Sequence, residues 1–215
     1  MKRLLLLLTL APCIAFGQVI DVDSNTYKTV KIGDQVWMAE NLKVSHFRNG
    51  DSIPEAKTLE DWEKAGDENI PAWCYYDNDP SNGEKYGKLY NWWAVNDSRG
   101  LAPEGWHIPT DKEWKTLTNN LGAEDVIGVK MKSTSGWAAG GDGTNESGFS
   151  GLSGGARSHD GSFTPHKLEY ISYWWTSTEY NATLAWYRFL SYNYGVISWD
   201  YGEKKHGFYV RCVKD

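Results

Sequence analysis

One run of residues spells a nucleophile. Gly151-Leu152-Ser153-Gly154-Gly155 fits G-x-S-x-G, in which a strained turn between a strand and a helix lifts a serine hydroxyl toward a substrate carbonyl. That chemistry needs an acid and a histidine downstream, and His159, His166 and His206 follow. The context is missing, however. Ala156 to Gly161 reads as a strand end entering a turn, and the chain lacks the alternating βαβ order of such a sheet. The pattern is read as a glycine-rich loop, with a serine hydrolase centred on Ser153 as the alternative function.

Clustered oxygens raise calcium. Asp77-Asn78-Asp79-Pro80-Ser81-Asn82-Gly83-Glu84 is one such loop and Asp21 to Asn25 another. Neither is an EF-hand: counting from Asp77, the glycine required at the sixth position is Asn82 and the glutamate at the twelfth is Lys88. Asp, Asn and Gly also cap ordinary turns. A calcium loop of another kind, with Asp77, Asp79 and Asn82 as ligands, stays open. Zinc and redox motifs (Cys-x-x-Cys, His-Glu-x-x-His) are absent. His107, between Trp106 and Ile108, reads as a hydrogen-bonded core histidine.

Tryptophan carries the remaining signal. The 215 residues include 12 Trp, 13 Tyr and 6 Phe. Trp174-Trp175 is an adjacent pair, and neighbours on a strand point to opposite faces. One of the two should therefore face outward unless both faces are covered. An outward indole can stack on a sugar ring or anchor a protein contact. Trp175, Trp186 and Trp199 are the expected exposed, ligand-binding set, while most of the others fill the core. A net charge of −6 argues against a nucleic-acid partner. A hydrophobic content of 40% excludes intrinsic disorder.

The start of the chain reads as a cleaved export signal over 1–17: Lys2 and Arg3, then an apolar run from Leu4 to Leu10, then Ala15-Phe16-Gly17. The run is shorter than the ~20 residues that span a bilayer, so an integral membrane protein is not expected. Cys13 offers lipid anchoring as a second route, but Pro12 stands where a small residue is wanted. The expectation is a secreted or cell-surface protein beginning at Gln18. Cys74 and Cys212 then remain, in an oxidising compartment. One long-range disulfide between them is expected, with two buried free thiols as the alternative.

These residues need a frame. Tyr27 to Ile32 and Gln35 to Met38 read as a hairpin turning at Gly33-Asp34. Thr58 with Asp61, and Thr110 with Glu113, have capping-box spacing ahead of helices ending near Gly66 and Gly122. Tyr86 to Val95 reads as helical, burying Leu89, Trp92 and Trp93. Gly140 to Gly148 reads as a surface loop. Ile171–Thr178, Leu184–Tyr192, Val196–Tyr201 and Gly207–Val213 read as an antiparallel meander. Helices early and strands late give an α+β class, as one domain over 18–215.

Several stretches together resemble a known family. Tyr27-Lys28-Thr29-Val30-Lys31-Ile32-Gly33-Asp34-Gln35-Val36-Trp37-Met38-Ala39-Glu40-Asn41-Leu42-Lys43 resembles the opening of the Fibrobacter succinogenes major paralogous domain. Tyr86 to Trp92, Gly105 to Trp114 and Glu146 to Ser150 are similar to its middle, and Val210 to Asp215 to its end. The resemblance implies an exported bacterial domain and no particular activity. Pro109 to Trp114 and Arg211-Cys212-Val213 also resemble, more distantly, the sulfatase-modifying, formylglycine-generating fold. This implies a C-type-lectin-like irregular domain with short helices. The copper-dependent oxidase chemistry of that fold needs paired cysteines, and Cys212 has no neighbouring Cys. The paralogous family also tends to have a cysteine before Gly105-Trp106-His107, which Leu101-Ala102-Pro103 lacks, and a proline where Ser153 stands.

The function expected from these residues is non-catalytic binding of a carbohydrate or a surface protein at the cell exterior, with a purely structural surface module as a further alternative. N-terminal sequencing of the exported protein should read from Gln18. Fatty acid on Cys13 would replace secretion with lipid anchoring.

Overall fold

The computed structural model describes residues 18–163 and 168–215. The export segment, Cys13 and His166 lie outside the described residues. The fold is α+β, with short helices and antiparallel sheets.

β1 (Val19–Ile20) and β2 (Thr26–Tyr27) form a small ribbon closed by Asp21. The Asp21 carboxylate accepts from the backbone N–H groups of Asp23 and Asn25, both at 2.9 Å, and from the Tyr27 hydroxyl at 2.5 Å. β3 (Thr29–Ile32) and β4 (Gln35–Met38) make the expected hairpin, with Gly33 at φ +61°. A β-carbon at Gly33 would lie 2.4 Å from the Asn120 side chain, so the turn needs glycine for space as well as for conformation.

α1 (Leu59–Asp67) carries the capping box of Thr58 and Asp61, and packs the Trp62 ring inward. Gly66 lies within it, buried against Lys205, rather than ending it. β5 (Trp73–Cys74) and α2 (Pro80–Tyr86) lead to Gly87. The expected helix over Tyr86 to Val95 is replaced by β6 (Leu89–Tyr90), which pairs with β5, and by the single turn α3 (Trp92–Val95). Gly87 is the reason: it sits at φ +85°, where any β-carbon would meet Asn41 and the Leu42 carbonyl at 2.9 Å. The buried Asn91 then starts the new turn, accepting from Ala94 N–H at 3.1 Å.

β7 (Trp106–His107) precedes α4 (Asp111–Asn119), where Thr110 and Glu113 form the second capping box. α5 (Glu124–Met131), not foreseen in the sequence, follows. Gly140 to Gly148 is not a detached loop. A β-carbon at Gly141 would sit 2.3 Å from the Tyr192 carbonyl, and one at Gly143 would sit 2.4 Å from that of Val129. These glycines let two backbones touch.

β8 (Ile171–Glu179), β9 (Leu184–Ser191) and β10 (Ile197–Glu203) form the meander, with β9 central. Its expected fourth strand does something else. Phe208 bridges to Tyr90, and Tyr209 bridges to Trp174. The chain then finishes as β11 (Val213–Lys214), inserted between β4 and β7 in a second sheet. A run legible as a strand is thus consumed by the core instead of extending the meander.

Nine of the 12 Trp are buried. Trp37, Trp92, Trp106 and Trp114 build the scaffold as expected, and Trp37 meets Trp114 at 4.9 Å between ring centroids. Trp174 and Trp175 are both fully buried because both faces of β8 are covered. Trp174 lies against Phe149 and donates to Asn41 at 2.8 Å; Trp175 lies against Phe208 and donates to the Tyr90 carbonyl at 2.9 Å.

His107 is half-buried rather than core. It bonds Asp215 through Nδ1 and Glu113 through Nε2, each at 2.6 Å, latching β7 to α4 and to the segment after β11. Burial works against its charge, but the two carboxylates outweigh it and hold its pKa above the usual 6.5. A raised folded-state pKa gives stability that is full below 6.5 and lost as pH rises through the folded value. The urea midpoint of His107→Gln should fall below that of the parent protein at pH 5–6, and the gap should narrow in alkaline buffer.

Candidate functional site: an aromatic ledge on the meander

Strand alternation and register create the site. Tyr201 pairs with Trp186, Trp199 with Arg188 and Ile197 with Leu190, so these six side chains share one face of β9 and β10. At one end that face is sealed. Ile197 and Leu190 are buried, and Gly128 of α5 packs directly on the Val196 carbonyl. Arg188, only 2% exposed, reaches α4 through an ion pair with Asp111. Burial alone would raise the Asp111 pKa; hydrogen bonds from Lys115 and Arg188 overcome this and lower it.

The other end of the face is open. Tyr180 and Tyr201 stack face to face, with centroids 4.0 Å apart and planes within 1°. Trp186 stands edge-on to both, at 5.3 Å and 5.5 Å. Trp199 is 54% exposed, with the Arg188 guanidinium 5.9 Å over its ring. The β8–β9 turn that holds Tyr180 is tied by Asn181, whose side-chain amide oxygen accepts from Thr183 N–H and Leu184 N–H, both at 2.9 Å. The turn that carries Tyr180 is therefore held without any ligand. Beside Trp199 lies a cavity of about 260 Å³, bordered by Lys115, Asn119, Glu124 and Arg188. An apolar floor with a few convergent polar groups is the chemistry of a small-ligand site.

Two of the three expected binding indoles, Trp186 and Trp199, are thus brought together; the third, Trp175, is in the core. Tyr180 and Tyr201 were missed. Tyr201 follows Trp199 by two residues, and strand alternation alone would have placed it on the same face. The acidic loop is put to structural use. Asp79 caps α2, accepting from Ser81 N–H at 2.9 Å, and the Asn82 amide donates to the Tyr76 carbonyl at 3.0 Å. Asp77 is exposed at φ +56°. Among the described residues no three His, Cys, Asp or Glu side chains are grouped to hold a metal.

A family model described as the Fibrobacter succinogenes major domain matches residues 30–214. The chain belongs to this family. No curated protein and no solved structure matches it. The aromatic ledge lies within the Fibrobacter succinogenes major domain, whereas the β1–β2 ribbon precedes it. Among the described residues no helix is long and apolar enough to cross a membrane.

Ser153 in this domain is 1% exposed, and its hydroxyl donates to the Gly136 carbonyl at 2.6 Å. His159 and His206 contact each other edge to face, 5.3 Å between centroids, and His159 lies 3.9 Å from Glu203. The serine serves a glycine turn.

The expected disulfide is absent. Cys74 and Cys212 are both free and fully buried, and they sit in different hydrophobic clusters. Burial raises both thiol pKa values, that of Cys74 to about 12. Neither should react with a thiol reagent in the native protein, and both should react in 6 M guanidinium without prior reduction. A mass 2 Da short of the reduced chain would reinstate the disulfide.

Proposed function

We propose that the aromatic ledge of Tyr180, Trp186, Trp199 and Tyr201 binds carbohydrate at the cell exterior, without chemistry of its own. The observation that carries this reading is the open end of the β9–β10 face, where a coplanar tyrosine pair is exposed and the exposed indole of Trp199, on the same face, borders a cavity with an apolar floor and a polar rim. Sugar rings present apolar C–H faces that stack on such rings, and their hydroxyls can bond a rim of Lys115, Asn119 and Glu124. The site on this reading belongs to an exported, lectin-like single domain over 18–215, in keeping with the signal-like start and the distant fold resemblance. Secretion is preferred to anchoring through Cys13.

Tyrosine, tryptophan and arginine are also the residues that dominate protein interfaces, so a surface protein is the second reading for the same ledge. Titration of the chain with soluble polysaccharides, followed by tryptophan fluorescence, separates the two. Trp199→Ala and Tyr201→Ala should each weaken glycan binding on the order of tenfold while leaving the melting temperature nearly unchanged. Trp175→Ala should instead unfold the protein. Absence of binding across a broad glycan array and to cell-wall material would refute the carbohydrate reading.

A further inference from the structure

A second cleft, of about 540 Å³, opens between the β1–β2 ribbon, the segment around Ser45 and the stretch from Tyr75 to Lys88. Lys88 forms its inner wall and is only 5% exposed. Its ammonium lies 3.8 Å from the Trp73 ring centroid and 5.8 Å from that of Tyr75. It donates its hydrogen bond to the Ser45 hydroxyl. Charged and titratable groups surround the pair. Asp21 and Asp23 face it from the β1–β2 ribbon, Glu55 from the chain before α1, and His46 and Tyr75 from the cleft wall. Lys43 and Glu84 lie at the rim.

The serine is held. Its N–H donates to Asp23 at 2.5 Å, and its carbonyl accepts from Ile53 N–H at 2.8 Å. The other Asp23 oxygen engages His46 Nδ1 at 2.5 Å, fixing that ring next to Ser45. A half-exposed serine on a cleft, bonded to a buried lysine and anchored by a carboxylate, has the parts of an activated nucleophile: nucleophile, base and orienting group. Lys132 and Lys204 are as deeply buried and also lie over indoles, but they donate to backbone carbonyls, whereas Lys88 bonds a hydroxyl that lines a cleft.

We propose that Ser45 and Lys88 form a serine–lysine acyl-transfer site that cleaves a small carboxylic ester. The neutral Lys88 amine takes the Ser45 Oγ proton as Oγ bonds to the ester carbonyl carbon. The tetrahedral intermediate collapses with cleavage of the carbon–oxygen bond to the alcohol, which leaves with the proton returned by Lys88. Water, deprotonated by the same amine, attacks the acyl-serine; the carboxylic acid departs and Ser45 recovers its proton. Ester and water go in, acid and alcohol come out, and no oxidant or metal enters the balance. Asp23 is a positioning residue, acting through the Ser45 backbone and His46. Burial lowers the Lys88 pKa to about 8, so the amine is available as a base under mildly alkaline conditions.

The test uses the chain from residue 18 with p-nitrophenyl acetate, read by nitrophenolate release and by peptide mass spectrometry. Ser45 should carry the acetyl group. The rate above buffer background should rise about tenfold between pH 7 and 9, with its midpoint near 8. Ser45→Ala should abolish the adduct. Lys88→Met, whose stem can still rest on Trp73, should slow acylation by about 10²-fold. Lys88→Arg should be equally slow, because a guanidinium cannot serve as the base. Circular dichroism confirms that each variant folds; if none does, the adduct site and pH profile of the parent chain decide alone. Acetyl on Lys88 or His46 in place of Ser45, no adduct, a flat pH profile, or an unchanged rate in folded Lys88→Met would each overturn the proposal.

Discussion

The fold depends on where its backbone carbonyls find donors. Much of the chain lies outside helices and sheets, and a buried carbonyl without a partner is costly. Indole N–H groups meet this need over long distances. Trp62 donates to the Lys205 carbonyl, Trp73 to that of Ile53, Trp92 to that of Thr176, and Trp175 to that of Tyr90. Each ring fills volume and also ties two distant stretches of chain together, with Ile53 and Lys205 lying outside any strand or helix. This explains the tryptophan content better than bulk hydrophobicity does, since leucine fills space but donates nothing. Others depart from the pattern: Trp37 and Trp174 donate to the side chains of Gln35 and Asn41, and the N–H groups of Trp93 and Trp114 are buried without a partner.

The same division of labour explains what could be read from sequence. Both capping boxes and the Gly33 hairpin were legible because the residues that make them lie within a few positions of one another. The helix expected over Tyr86 to Val95 failed because apolar spacing cannot register that Gly87 must slip past Asn41 and Leu42, some forty-five residues earlier in the chain. The final strand of the meander failed for a similar reason. Phe208 and Tyr209 are claimed by Tyr90 and Trp174, and no local pattern announces that. Trp175 looked free only because alternation says nothing about whether the second face of a strand is covered.

The aromatic ledge was half legible. Trp186 and Trp199 stood out by type, but their meeting depends on the register of β9 against β10. The cleft at Ser45 was not legible at all. Ser45 and Lys88 come together only because the β1–β2 ribbon brings Asp23 to Ser45 while the Lys88 N–H is pinned to the Leu42 carbonyl at 3.1 Å. No spacing rule links residues that far apart.

The placement of β11 also bears on timing. Residues 210–213 occupy the interior of the sheet that holds the early hairpin, with Leu42 N–H bonded to the Val210 carbonyl at 2.9 Å and Met38 N–H to that of Cys212 at 3.0 Å. Until that stretch has been made, the hairpin and β7 have no strand between them, and Trp37 and Trp106 have no lid. A growing chain would therefore stay open here until residues 210–213 had emerged, and close in one step once they had. Contacts of such long sequence separation also make that step slow. A protein built this way stays threadable until that stretch is made.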